Sequence, residues 1–387
     1  MSGTASAELD GVRTATSRRL RVAMLGSKGI PAEHGGIERH VEEVALRLAR
    51  RGHRVDVFTR AHHSVREPFL DGVRLRRRPS IPTKHLDAAT HTALCALEVA
   101  LSARYDILHI HGIGPGLFAG WTPGVRSVFT YHAQDWRQRK WGALARWFLR
   151  RGEANAMRRA DAVITVSRLL QKYVQDTHGR ACTYIPNGAR AVVAAPDVRL
   201  LQRWELTPRH YFLFVGRLIA DRGIGTLVDA FARLPTSMRL VIAGEAQLPH
   251  AAFQALRAQA GNGVLFVGQQ DNDSLDALYA HAYLCVHPSE VEGMPIAVLD
   301  AMAHAQAVVV SDIPENVEAI GDAGVTFPVG DASALAATLT ALLDAPDRVR
   351  MLGERAQERA RTFYDWDDVA RQTERVYADV LSADTPP

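Results

Sequence analysis

The sequence predicts an α/β protein of two doubly wound, parallel-sheet domains facing each other across a cleft. Three observations carry that prediction. Short β-branched runs alternate with helical patterns along most of the chain, the alternation breaks once at residues 186–210, and each side of the break holds five or six strand candidates. In the first half the candidates are Arg21–Leu25, Arg54–Phe58, Ile107–Ile110, Ser127–Thr130, Ala162–Val166 and Cys182–Ile185. In the second they are Tyr211–Val215, Arg239–Ala243, Val264–Val267, Tyr283–Val286 and Val308–Ser311. Between the first two strands Ile37, Val41, Val44, Ala45 and Leu48 fall on one helical face, and Gly52 stops that helix. The stretch 186–210, broken by Pro, Gly and polar residues, places the junction near residue 190, between a first domain at 20–190 and a second at 191–362. Ligands of such sheets bind beyond the carboxyl ends of the strands, so two facing domains share a cleft.

At 387 residues, 47% hydrophobic and 23% charged, the chain has the size of two cores and the composition of a soluble protein. No apolar run approaches the ~20 residues that cross a bilayer. Residues 1–19 lack an apolar signal core and read as a disordered arm, and the expected location is the cytoplasm. Cys95, Cys182 and Cys285 lie far apart, a spacing that supports neither a disulfide framework nor a metal site. The net charge of +4 is concentrated. Arg137, Arg139, Lys140, Arg146, Arg150, Arg151, Arg158 and Arg159 are interleaved with Trp136, Trp141, Leu144, Trp147, Phe148 and Leu149. That mixture suits a solvated helix whose aromatics pack into its own domain, or a helix lying on an anionic membrane surface. No nucleic-acid recognition motif accompanies it, so nucleic acid is not an expected partner.

Four segments carry candidate chemistry. In SEVEGMPIAVLDAM, Pro295 suits the first position of a helix, Glu292 precedes that start and Asp300 lies one to two turns along it. A helix start offers free N–H groups and a positive dipole end to a phosphate or sugar oxygen. In FVGRLIADRGIG, Arg217 and Arg222 follow a strand, where two guanidiniums can clamp a diphosphate. In LGSKGIPAEHGG, Gly35 and Gly36 stand at a helix start where a phosphate can come close, in a pattern unlike the dinucleotide fingerprint or the P-loop. His132 follows a strand, with Asp135 nearby, and is a candidate polar group at the cleft. His109 and His111 share one strand face and read as core histidines with no third zinc ligand evident. Asp271–Ser274 reads as a helix cap, and no metal is assigned.

In order and spacing, GIPAEHGGIERHVEEVALRLARRGH, ADAVITVS, YIPNG, FVGRL, IAGE and HPSEVEGMPIAVLDAMA resemble the retaining glycosyltransferases of family 4, from about residue 20 to 380. The first segment and HAQDWRQRKWG look most like bacterial members that build exopolysaccharide or O-antigen chains. The resemblance implies a GT-B fold of two Rossmann-like domains, with a C-terminal helix at about 363–385 returning to the first domain. It implies a nucleoside-diphosphate-sugar donor in the second domain, a polyprenyl-linked saccharide acceptor in the first, and no cofactor. Arg217 and Arg222 would neutralise the diphosphate, Arg222 standing where the family has Lys. Glu292 would contact the transferred sugar, and Asp300 takes the place of a second Glu that holds the ribose. Backbone from Gly293 through Met294 and Pro295 to Ile296 would face sugar and phosphate, with Gly36 opposite. His132 would stand near the anomeric carbon. Work on that acceptor would place the protein at the inner face of the cytoplasmic membrane. A nucleotide-sugar epimerase of similar architecture and a catalytically silent nucleotide-binding scaffold are the alternatives.

Overall fold

The structure, a computed structural model, describes residues 18–383 apart from 33–34, 64–66, 84–85, 103 and 193–195. The predicted disordered arm falls mostly outside these residues. Eight strands form the first sheet: β1 (Arg21–Leu25), β2 (Arg54–Arg60), β3 (Phe69–Leu70), β4 (Val73–Arg78), β5 (Ile107–His111), β6 (Arg126–Tyr131), β7 (Ala162–Thr165) and β8 (Thr183–Tyr184). Their order is β3-β4-β2-β1-β5-β6-β7-β8, parallel except for the β3–β4 edge hairpin. Helix α1 (Gly36–Arg50) lies on one face; α2 (Asp87–Ser102) and α3 (Ala143–Arg159) cover the other, followed by α4 (Arg168–His178).

The second sheet comprises β9 (Tyr211–Val215), β10 (Arg239–Ala243), β11 (Val264–Gly268), β12 (Leu284–His287), β13 (Val308–Ser311) and β14 (Val325–Phe327). All its pairings are parallel, in the order β11-β10-β9-β12-β13-β14. Around it run α5 (Ile224–Phe231), α6 (His250–Ala260), α7 (Asn272–His281), α8 (Ile296–Ala303), α9 (Pro314–Ile320), α10 (Ala332–Leu343) and α11 (Pro346–Phe363). Each sheet reverses its winding about one central strand, β1 or β9, as in doubly wound folds. All eleven predicted strands are present within one or two residues; β3, β4 and β14 are additional. Four of the six β4 residues are arginine, so hydrophobic alternation does not reveal that strand.

The last helix, α12 (Trp366–Ser382), crosses back to the first sheet. Its Trp366, Val369, Val376 and Tyr377 join one apolar cluster with Val22, Met24 and the α1 residues Val41, Val44 and Leu48. The two passages between the sheets touch: Ala189 N–H donates to the Tyr364 carbonyl at 2.6 Å, and Ala189 bridges Asp365. A Cβ on Gly188 would lie 2.5 Å from the Trp366 ring, so the small residue is what lets the crossings pack together.

Candidate functional site

The carboxyl ends of both sheets border a cavity of about 750 Å³. On the second sheet, β9 ends at Val215 and leads directly to Arg217. A short turn at Ala220–Arg222 then presents Arg222. Gly223, with φ +65°, follows in a conformation that other residues seldom adopt, and a Cβ there would meet the Pro288 carbonyl at 2.1 Å. That close approach holds the Arg222 turn against the segment leaving β12. Arg222 Nη1 pairs with Glu292 Oε1 and donates to the Val291 carbonyl at 3.2 Å. Glu292 Oε1 also lies 2.8 Å from His287 Nε2, which is 2.9 Å from Ser289 Oγ. Burial, reinforced by Arg217, pushes the Arg222 guanidinium down to about 9, still protonated at neutral pH. Burial and then Arg222 push His287 down to about 3, so it is neutral. Arg217 has no ion-pair partner among the described residues.

Helix α8 opens beside these groups. Pro295 is its N-cap, one position earlier than predicted, and Ile296 is the first helical residue. No side chain caps this end, and Glu292, Met294, Pro295, Ile296 and Asp300 all line the cavity. Asp300 is nearly buried, and its Oδ1 accepts the Arg190 N–H at 2.8 Å. Burial raises its carboxyl above the usual range, against the pull of Arg190 and Arg39. The Arg190 side chain reaches Asn272 Oδ1 at 3.0 Å and Asp276 at 3.0 Å. Asp271 caps α7 by accepting the Ser274 N–H at 2.8 Å, as the sequence predicts.

From the first sheet, Gly35 and Gly36 line the opposite wall at the start of α1. A Cβ on Gly36 would lie 3.6 Å from Ile296 Cδ1, so the two helix starts face each other. Behind them lies a neutral cluster that the sequence does not reveal. His40, one turn into α1, bonds Asn187 through Nδ1 at 2.9 Å, and Asn187 donates to the Met294 carbonyl at 3.2 Å. His111 Nδ1 and His132 Nε2 are 3.1 Å apart. His109 bonds Tyr377 and Thr130, each at 2.7 Å. Burial drives His40 down to about 4 and the other three well below the ordinary histidine value, so all are neutral.

One sequence reading changes here. His109 and His111 are core histidines as predicted, yet ring nitrogens of His40, His111 and His132 lie within 4.8 Å of one another, so metal-like spacing does exist. Each of these rings already bonds a protein partner through one nitrogen. His132 is buried, and Met294, Pro295 and Ile296 of the segment that begins at Gly293 line the cavity. A Cβ on Gly293 would fall 1.7 Å from the His132 carbonyl oxygen, so this glycine is one close contact between the two halves.

A loop from the first sheet also crosses over. Trp136 Nε1 donates to buried Glu153 at 2.7 Å, fixing the loop's base. Arg139 then reaches the second half, where its N–H donates to Asp221 at 3.2 Å and its guanidinium pairs with Glu290. Burial pushes the Asp135 carboxyl up to about 6, with Lys140 and Arg217 pulling the other way.

Residues 34–191 match the family described as Glycosyltransferase Family 4, and residues 209–345 match Glycosyl transferases group 1. A glycogen synthase of Mycobacterium tuberculosis is 28% identical, the match covering 92% of this chain and 94% of that protein. A phosphatidyl-myo-inositol mannosyltransferase of Mycolicibacterium smegmatis is 29% identical over 90% of this chain and 91% of its own. Among solved structures, a sucrose-phosphate synthase from Thermosynechococcus elongatus superposes with a TM-score of 0.81 at 22% identity, covering 95% of this chain and all of the other. Anabaena HepE, solved with UDP-glucose, gives 0.74 at 20% identity over 94% of this chain and all of its own.

Proposed function

We propose that this chain, which belongs to the GT-B glycosyltransferases of family 4, moves a hexosyl or deoxyhexosyl unit from a nucleoside-diphosphate sugar to a polyprenyl-linked saccharide, with retention of configuration, in surface-polysaccharide synthesis. The observation that carries this reading is the convergence of Arg217, Arg222, Glu292, Asp300 and the uncapped start of α8 on one cavity. Departure of the diphosphate builds negative charge. Arg217 and Arg222 neutralise it, and the α8 N–H groups are positioned to add to that stabilisation.

Glu292 pairs with Arg222. A donor diphosphate would take over the guanidinium and free Glu292 to accept sugar hydroxyls. Asp300, with Oδ1 held by Arg190, keeps its other oxygen for the ribose. The acceptor hydroxyl attacks on the face the diphosphate leaves, and a donor phosphate oxygen takes its proton, so no protein nucleophile is required. The neutral histidine cluster backs the first-domain side of the cavity, where Arg39 of α1 supplies the nearby charge. The paired domains exclude water and limit hydrolysis. HepE crystallised with UDP-glucose and the mannosyltransferase relative support a sugar nucleotide as donor.

The test supplies candidate sugar nucleotides and a polyprenyl-linked acceptor in detergent micelles, then determines the anomeric configuration of the product by NMR. An α-linked product from an α-donor is expected. An inverted product contradicts the mechanism, and turnover of donor without any acceptor favours the epimerase reading.

A further inference from the structure

The sequence singles out the basic, aromatic stretch 136–159 for a membrane, but the structure leaves four of its six large apolar side chains half-buried. Trp136 and Leu149 pack against the core, and Trp136 is tied to Glu153. On α3, Leu144 and Trp147, spaced i and i+3, are the large apolar side chains that remain exposed. The missing apolar area stands on α2. There Leu94, Leu97 and Leu101 project outward at i, i+3 and i+7, while His91, Cys95, Ala96 and Val99 face the core. Both helices pack on the turn Pro115–Phe118, and Asn155 of α3 donates to the Gly116, Leu117 and Ala119 carbonyls at 2.9–3.1 Å. Trp121, just past that turn, is exposed as well. These six side chains range from 38% exposed for Leu94 to 79% for Leu144, and the opposite sides of α2 and α3 are buried in the same apolar cluster, so the two helices turn their outer sides away from one layer.

The charge on that face has one sign. On α3, Arg146, Arg150, Arg151, Arg158 and Arg159 are exposed, and its single acid, Glu153, is buried. Arg151 lies over the Trp147 ring at 5.2 Å. On α2 both acids are already paired, Asp87 with Arg60 at 2.6 Å and Glu98 with Arg76 and Arg78. An apolar strip bordered by unpaired arginines matches the headgroup region of an anionic bilayer, where leucine and tryptophan insert and guanidiniums meet lipid phosphate. We propose that the shared outer face of α2 and α3, carrying Leu94, Leu97, Leu101, Trp121, Leu144 and Trp147, is a docking platform for an anionic lipid bilayer. The idea rests on the reading that the acceptor is lipid-linked. It goes beyond that reading in placing half of the insertion surface on α2.

The experiment is flotation with vesicles of phosphatidylglycerol and phosphatidylethanolamine, compared with phosphatidylcholine alone, at low and high salt. The wild type should float with the anionic vesicles, less so at high salt. Leu97→Asp combined with Leu101→Asp should reduce binding by roughly tenfold or more, while Arg146→Glu with Arg150→Glu should abolish the preference for anionic lipid. A nucleotide-induced thermal shift and turnover in detergent micelles should stay unchanged in the leucine variant. Equal flotation of that variant and the wild type overturns the α2 assignment, and no wild-type flotation overturns the platform. If the leucine variant converts a dimer to a monomer, the face is a self-association surface and the proposal is also overturned. Loss of micelle turnover in the wild type bears on the acceptor reading alone.

Discussion

The two walls of the cleft are built on different electrostatic plans. The second-domain wall gathers Arg217, Arg222, Glu292 and Asp300 around an uncapped helix start. The first-domain wall backs two glycines with four buried imidazoles, all held neutral by burial. The difference teaches that one wall is arranged to receive a charged leaving group. The other holds its shape on neutral rings and brings Arg39 and Arg190 to the cavity side. It also implies that substitutions on the two walls fail in different ways.

The largest effect should come from the charged wall. Arg217→Ala should lower kcat by about 10²–10³, the range for losing one preorganised group that stabilises developing charge, with an unchanged unfolding midpoint in the absence of ligand. Near-normal steady-state kinetics would remove Arg217 from the clamp. Next is the seam between the walls. Gly293→Ala forces a methyl against the His132 carbonyl, which neither backbone can easily yield. It should open the cleft, measured as a larger radius of gyration in solution scattering with nucleotide bound, and raise hydrolysis of donor relative to transfer.

The neutral wall should fail through stability. Asn187→Ala strips His40 and the Met294 carbonyl of their shared partner, at a cost of about 1–3 kcal/mol in urea unfolding. Acid acts on the same wall. Each histidine is depressed from 6.5 in the unfolded chain, His40 to about 4, so the unfolded state takes up protons first as pH falls. Stability present above pH 6.5 should therefore be lost progressively down to about pH 4. Asp135, raised to about 6, opposes part of that loss, because its folded form protonates before its unfolded form. A thermal midpoint flat between pH 7 and pH 4 would contradict neutral burial of the cluster. The smallest effect is expected from Asp300→Glu, which restores the longer carboxylate and should tighten nucleotide binding a few-fold by calorimetry, about 1 kcal/mol.

The charged wall was largely legible in the sequence, and the neutral wall was not. Arg217, Arg222, Glu292 and Asp300 lie in short segments where strand, turn and helix start follow one another, so local pattern places them at one sheet edge. The Arg222–Glu292 pair and the role of His287 depend on two β-strand ends meeting, which spacing alone does not give. His40, His111 and His132 come from three elements separated by up to about 90 residues, and only the sheet order β1-β5-β6 brings them together. Gly293 reads in sequence as a residue for ligand approach, but its missing Cβ serves backbone contact between the walls. On the outer surface, Leu94, Leu97 and Leu101 stand opposite the buried face of α2, an arrangement no motif in the sequence marks.

The most direct test of the two-wall account is thermal unfolding of the wild type and Arg217→Ala with UDP, GDP, dTDP and ADP, each with and without EDTA. The account predicts that one nucleotide at 100 times its Kd stabilises the wild type by about 2.7 kcal/mol, roughly several degrees. That shift should persist in EDTA and shrink in Arg217→Ala. No shift with any nucleotide, or an equal shift in Arg217→Ala, would contradict a diphosphate held by the charged wall.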